Sequence, residues 1–150
     1  MQFEYPEDQE FFAHLLTDGS IEFLEKEYKD LFDFRHPAIK RWEFDKTRKK
    51  VLQALIEQYK GECQLCIHPE CDTSSGLEPD HIIPLSSNVL NKELRGQKRT
   101  SSAKVESQSF GSNHPRNLTL ACKRCNAVKK HHILQKEIIQ KLIPPHFVSQ

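Results

Sequence analysis

Four of the five cysteines fall into two C-x-x-C pairs, Cys63/Cys66 and Cys122/Cys125. Each such turn directs two thiolates toward one point, and two turns supply the four sulfurs of a closed tetrahedral zinc site. The 55 residues between the pairs exceed the usual ribbon spacing, so an insertion separates the halves of the site. Cys71 is left over and reads as a small buried residue or free thiol; Cys71 and His68 rank below the pairs as replacement ligands. An odd count argues against a disulfide framework and for a reducing compartment. A second set runs through the same stretch: Asp80-His81, Asn117, and Asn126 directly after Cys125. An imidazole can deprotonate water near neutral pH. A carboxylate and an amide oxygen can hold a hard divalent cation, which stabilises charge on a phosphate and its leaving oxygen. Together they could hydrolyse a phosphodiester. Asp80 and His81 are adjacent, so a regular strand would point them to opposite faces. A bend near Pro84 or at the strand start is needed for both to serve one site. Singly, Asp80 could be a turn residue, His81 a hydrogen-bonded core histidine, Asn117 a turn former and Asn126 a helix cap. Their joint order, locked to the cysteine pairs, favours chemistry.

The elements that must position these residues follow from pattern. Residues 6–17 read as a helix: Pro6, Glu7 and Asp8 suit a first turn, Phe11, Phe12, Leu15 and Leu16 make an apolar face, and Gly19 ends it. Ser20 can cap a second helix carrying Ile21, Leu24, Tyr28, Leu31 and Phe32. A connector holds His36 and Pro37, and a third helix runs from about Asp45 to Tyr59, stopped near Gly61. Lys46, Arg48, Lys49 and Lys50 at its start could touch phosphate or face water. Asp80–Leu85 and Asn117–Ala121 read as short strands. Residues 86–116 read as a long basic loop with a short helix near Val89–Leu94. From Lys123 the chain reads as one helix through Leu134, Ile138, Ile139 and Leu142, ended by Pro144 and Pro145. The start of that helix, with unpaired amide N–H groups and a positive dipole end, favours a phosphate.

The chain has 150 residues, about one domain's worth, with 29% charged and 37% hydrophobic residues. That allows a modest core, to which a zinc site would add folding free energy. No apolar run approaches the ~20 residues of a membrane span. The opening MQFEYPEDQE has no apolar h-region, so no signal peptide is expected. These features point to a cytoplasmic setting. The net charge of +1 is a cancellation. Residues 1–33 hold ten acids and two bases, net −8; residues 34–150 hold twenty bases and eleven acids, net +9. Lys92 to Lys130 alone carries ten bases against Glu93 and Glu106. A basic stretch of this kind is an electrostatic footprint for nucleic acid, or a solvated face. The candidate phosphate contacts are Lys98, Arg99, Lys104, Arg116, Lys123, Arg124, Lys129 and Lys130. The acidic region, residues 1–46, is the candidate surface for a larger protein partner or a second copy. His114, His131 and His132 read as surface histidines.

The segments QYKGECQLC, PDHIIPLS and NLTLACKRCNAVKK resemble the HNH endonuclease family. The resemblance covers about residues 47–135. It implies an α+β fold: a ββα-metal core stapled by a four-cysteine zinc site, preceded by the helical N-terminal region. The expected organisation is residues 1–46, a nuclease domain over 47–143 with its basic insertion at 86–116, and a tail at 144–150. It also implies His81 as general base, Asp80 and Asn126 as ligands of a catalytic Mg²⁺ or Mn²⁺, Asn117 as support for the hairpin and base, and Cys63, Cys66, Cys122 and Cys125 on structural zinc. Asn126 stands where the family commonly has histidine, as in its HNN variant. An amide in place of imidazole favours a hard ion over a second zinc. The gap from His81 to Asn117 is longer than usual in the family and lacks its Gly-Gly signature. The activity implied is metal-dependent hydrolysis of DNA rather than RNA, in prokaryotic or phage restriction, anti-phage defence or a mobile element. The competing reading is a zinc-stapled nucleic-acid-binding module without catalysis, or an effector subunit of a larger complex.

Overall fold

The computed structural model describes residues 1–98 and 104–144, leaving the side chain of Ser75 aside. Arg99 and most of the expected tail lie outside them. The fold is mixed α+β. It runs α1 (Pro6–Leu16), α2 (Ile21–Tyr28), α3 (Pro37–Tyr59), β1 (Leu77–His81), β2 (Ser86–Ser87), α4 (Val89–Glu93), β3 (Gln108–Ser109), β4 (Leu118–Cys122), α5 (Lys123–Lys129) and α6 (Lys136–Leu142). β1 pairs antiparallel with β4, placing Asp80 opposite Thr119 and His81 opposite Leu118. β2 and β3 make a second, shorter antiparallel pair.

Local chemistry explains the boundaries. Ser20 caps α2 by accepting from the Phe23 N–H. α3 starts eight residues earlier than its apolar spacing predicts, because Pro37 is its first residue and His36 caps it, Nδ1 accepting from the Ala38 N–H. It ends at Lys60 and Gly61, both at positive φ, with Gly61 N–H donating to Ile56 O. The single helix expected after Lys123 is two. Lys130 takes φ 50°, closing α5, and residues 131–134, which join no helix, separate it from the Gln135 cap of α6.

The expected boundary at residue 46 falls inside α3, and one apolar core spans both sides. Phe12, Leu16, Leu24 and Phe32 from the N-terminal region cluster with Ile82, Ile83, Phe110, Ala121 and Ile139. Several acids of that region are paired with cations from later in the chain. Arg95 bridges Asp8 and Glu7 at 3.0 Å, and Arg116 bridges Asp30 at 3.0 Å. Asp8 is fully buried and also accepts from Gln108 Nε2. The expected basic loop is therefore a closed excursion, pinned at its ends by the β2–β3 pair and docked on α1 through Arg95.

Two further contacts fasten this excursion. Lys40 is fully buried and donates to the carbonyls of Asp33, Leu85 and Gly111 at 2.7–2.8 Å. Burial lowers its pKa to about 8. Gly111 lets two backbones touch: its N–H donates to Pro84 O, and a Cβ there would sit 2.0 Å from Ile83 O.

Candidate metal centres and catalytic cleft

The cysteine site forms where β4 runs into α5. Cys122 caps α5, its Sγ accepting from the Cys125 N–H at 3.4 Å. The four thiols that converge are Cys63, Cys71, Cys122 and Cys125, whose sulfurs all lie within 4.8 Å of one another. In this group Cys71 stands where the two C-x-x-C pairs lead one to expect Cys66, whose Sγ lies at its edge, 3.8 Å from Cys71 Sγ. The physical reason is local backbone geometry. Cys66 adopts φ 48°, its side chain is exposed, and its Sγ donates to Cys63 O at 3.1 Å. The chain then folds back through a turn in which Cys71 N–H donates to His68 O. That return carries Cys71 Sγ to 4.0 Å from Cys122 Sγ. His68 is not among the converging groups, and its Nδ1 accepts from the Glu70 N–H. Four soft sulfur donors in a closed group suit a metal ion such as zinc. Burial works against ionisation of Cys122, but the Cys125 and Asp72 backbone N–H groups outweigh it and hold the thiol down to about 6.

About one strand length away, a cleft of about 440 Å³ gathers Asp80, His81, Asn126, Lys129, Lys130 and His131 with Arg41 and Ser86. It opens where β1 ends, between α3 and α5. The alternation expected of adjacent strand residues is present: Asp80 meets Lys129 of α5, while the His81 ring lies 4.6 Å from the Phe44 ring of α3. Because β1 stops at His81, both residues still reach the cleft.

His81 Nε2–H donates to Asn113 Oδ1 at 2.8 Å. Asn113 is held in that orientation by its own Nδ2, which donates to Lys40 O at 2.9 Å. A proton fixed on Nε2 leaves Nδ1 as the acceptor. Burial lowers the His81 pKa to about 4, so the ring is neutral at pH 7. Asp80 Oδ1 receives Lys129 Nζ at 3.2 Å, and that ammonium also donates to His81 O at 2.7 Å. Asp80 Oδ2 is buried with no partner. Burial raises the Asp80 pKa, and the Lys129 charge pulls against it. Asn126 Nδ2 donates to Glu78 Oε1 at 3.2 Å. Engaging the nitrogen fixes which edge of the amide is left for its oxygen. An orphaned carboxylate oxygen beside an amide is an oxygen-donor set that fits a hard divalent cation.

Asn117 is fully buried and lies behind the cleft. Its Oδ1 accepts from Ile83 N–H, and its Nδ2 donates to Ile83 O and Ser112 O. It locks the segment after His81 to the start of β4.

The expected phosphate contacts divide. Lys129 is buried and holds Asp80 and the His81 backbone, so its ammonium is not available to grip phosphate. Arg116 is fastened to Asp30, Glu27 O and Pro144 O, and Arg124 to Glu70 at 2.6 Å. Lys98, Lys104, Lys123 and Lys130 are exposed, and Lys130 lines the cleft. Of the histidines read as surface residues, His131 lines the cleft, while His114 Nδ1 accepts from the Arg116 N–H. Sequence reasoning missed Arg41, Asn113 and Glu78, since an arginine, an asparagine and a glutamate outside any motif carry no pattern. No described helix is long and apolar enough to cross a membrane. No family model matches the chain, and neither curated proteins nor solved structures give a match.

Proposed function

We propose that the protein is a metal-dependent endonuclease of HNH type that hydrolyses phosphodiester bonds in DNA. One observation carries the reading: Asp80, with a buried oxygen lacking any partner, shares a cleft with Asn126 and with a neutral, oriented His81. The antiparallel β1–β4 pair followed directly by α5 supports it. Asp80 and Asn126 would hold Mg²⁺ or Mn²⁺, which when bound neutralises charge on the phosphate and the leaving oxygen. His81 takes a proton from water at Nδ1 as the water oxygen bonds to phosphorus and the P–O bond to the leaving oxygen breaks. The leaving oxygen regains a proton from solvent. Asn113 keeps the His81 tautomer, and Lys129 favours the charged form of Asp80 against its burial and fixes the strand end. The cysteine cluster, loaded with zinc, anchors the start of α5 and thereby Asn126.

Plasmid nicking tests this. Zinc-loaded protein should nick supercoiled DNA when Mg²⁺ or Mn²⁺ is added, and His81→Ala should abolish nicking while remaining folded and zinc-loaded. The alternative of a binding module without catalysis predicts DNA binding and no nicking in either protein. The exposed cations at the cleft would serve both readings.

A further inference from the structure

Arg95 and Arg116 of the basic excursion are engaged inside the chain, and its exposed Lys98 and Lys104 do not line the cleft, which leaves the question of what holds a nucleic acid there. α3 answers it. Residues 41–50 hold Arg41, Lys46, Arg48, Lys49 and Lys50 against Glu43 and Asp45, and all five cations are exposed. Glu43 already carries Arg35 at 2.8 Å. No described residue forms a salt bridge with any of the five. The helix also bears Trp42, 62% exposed, with Lys46 Nζ 3.3 Å from its ring centre.

Helical spacing sorts these side chains. Trp42, Lys46 and Lys49 recur at intervals of four and three and form one stripe, with Lys50 beside it. Arg41 and Arg48 lie on the neighbouring stripe. Arg41 lines the cleft and donates to Ser86 Oγ at 3.0 Å, and the Arg48 charge acts on His81. On the inner side of the same helix Phe44 supports the His81 ring. One helix therefore presents cations outward, borders the cleft, and backs the base.

We infer that residues 41–50 of α3 are a DNA-binding wall, along which the sugar–phosphate backbone runs as a phosphate enters the cleft beside Arg41. The placement rests on the hydrolase reading of the cleft; the binding does not. Five cations on less than three helical turns match the charge of a duplex, and each phosphate neutralised releases counterions. Trp42 offers a flat apolar ring and one N–H donor to the same surface.

The test uses the full zinc-loaded chain without Mg²⁺ or Mn²⁺ and a short labelled DNA duplex. Trp42 is the only tryptophan, so its emission reports on α3 alone. The duplex should change that emission. The triple variant Lys46→Gln, Lys49→Gln, Lys50→Gln should bind more weakly, with the slope of log K against log salt reduced by about 2.7 at ~0.9 per contact. The pair Lys98→Gln, Lys104→Gln should change that slope by less than one contact's worth, and circular dichroism melts should show both variants folded. An unchanged slope in the folded triple variant, or Trp42 emission indifferent to saturating DNA, overturns the inference. If the triple variant loses its slope and the wild type nicks no DNA, the inference stands and the nuclease reading falls. If nicking requires His81 and the triple variant binds normally, the reverse holds.

Discussion

Replacing Lys129 by methionine separates two roles for this lysine. If it gripped phosphate from the surface, its loss would weaken DNA binding and leave stability nearly untouched. The structure assigns it a different partner. Its side chain is 1% exposed, that of Asp80 6%, and they meet at 3.2 Å. At an effective dielectric of ~20 two unit charges at that distance attract by about 5 kcal/mol, as an upper scale. Removing one member of a buried pair typically costs about 3–5 kcal/mol, because the other charge is left uncompensated. Lys129→Met also deletes the bond to His81 O. We therefore expect a loss of about 4 kcal/mol, a large share of the ~5–15 kcal/mol that holds a typical domain together. Urea unfolding of zinc-loaded protein at neutral pH reads this as a lower midpoint at unchanged slope. Burial already raises the Asp80 pKa and the Lys129 charge opposes that rise, so without the lysine it rises further. A carboxyl whose folded pKa lies above its unfolded value destabilises the fold as pH rises through that window. The deficit should thus be smallest at low pH, where Asp80 is protonated. Asp80→Asn combined with Lys129→Met should recover all but about 1 kcal/mol, since no charge is left buried. A Lys129→Met protein within ~1 kcal/mol of wild type, weakened only in DNA binding, refutes the reasoning and returns Lys129 to the phosphate.

Two further outcomes follow from the sites. Cys71→Ser should abolish the content of about one zinc per chain, measured by metal analysis, whereas Cys66→Ser should keep it; the opposite pattern restores the two C-x-x-C pairs as the ligand set. His81, lowered to about 4 by burial, is already deprotonated at neutral pH, so cleavage should be flat from mildly acidic pH upward and fall only as pH drops toward 4. A rate that halves near the ordinary histidine value of ~6.5 would count against the buried, Asn113-bound base.

What the sequence revealed and what it withheld divide along physical lines. Short-range signals held: the Ser20 cap, the Gly61 stop and the break at β4 into α5 all rest on residues within a few positions of each other, whereas the strand expected over Asp80–Leu85 lies at Leu77–His81. Asp80, His81 and Asn126 could be listed together from order alone, and they line one cleft. Long-range pairing stayed hidden. Nothing near Lys40 in the chain announces that Leu85 and Gly111 will supply its acceptors, or that Arg95 will find Asp8. An exposed lysine run and a buried ion pair look identical as letters, so Lys129 read as a surface cation. The choice of Cys71 over Cys66 turned on the positive φ of Cys66, which the C-x-x-C spacing does not encode. That Glu7 and Asp8 of the acidic start pair with Arg95 was likewise hidden, because that partner lies some ninety residues on.

Hydrolysis at the cleft by His81 with a divalent cation is the proposed activity. The most direct measurement is nicking of supercoiled plasmid by zinc-loaded protein, with and without Mg²⁺ or Mn²⁺, beside His81→Ala prepared in the same way. Nicked product is expected only in the wild type and only with the added metal. Nicking that persists in His81→Ala, or none in the wild type under any of these metals, contradicts the proposed activity.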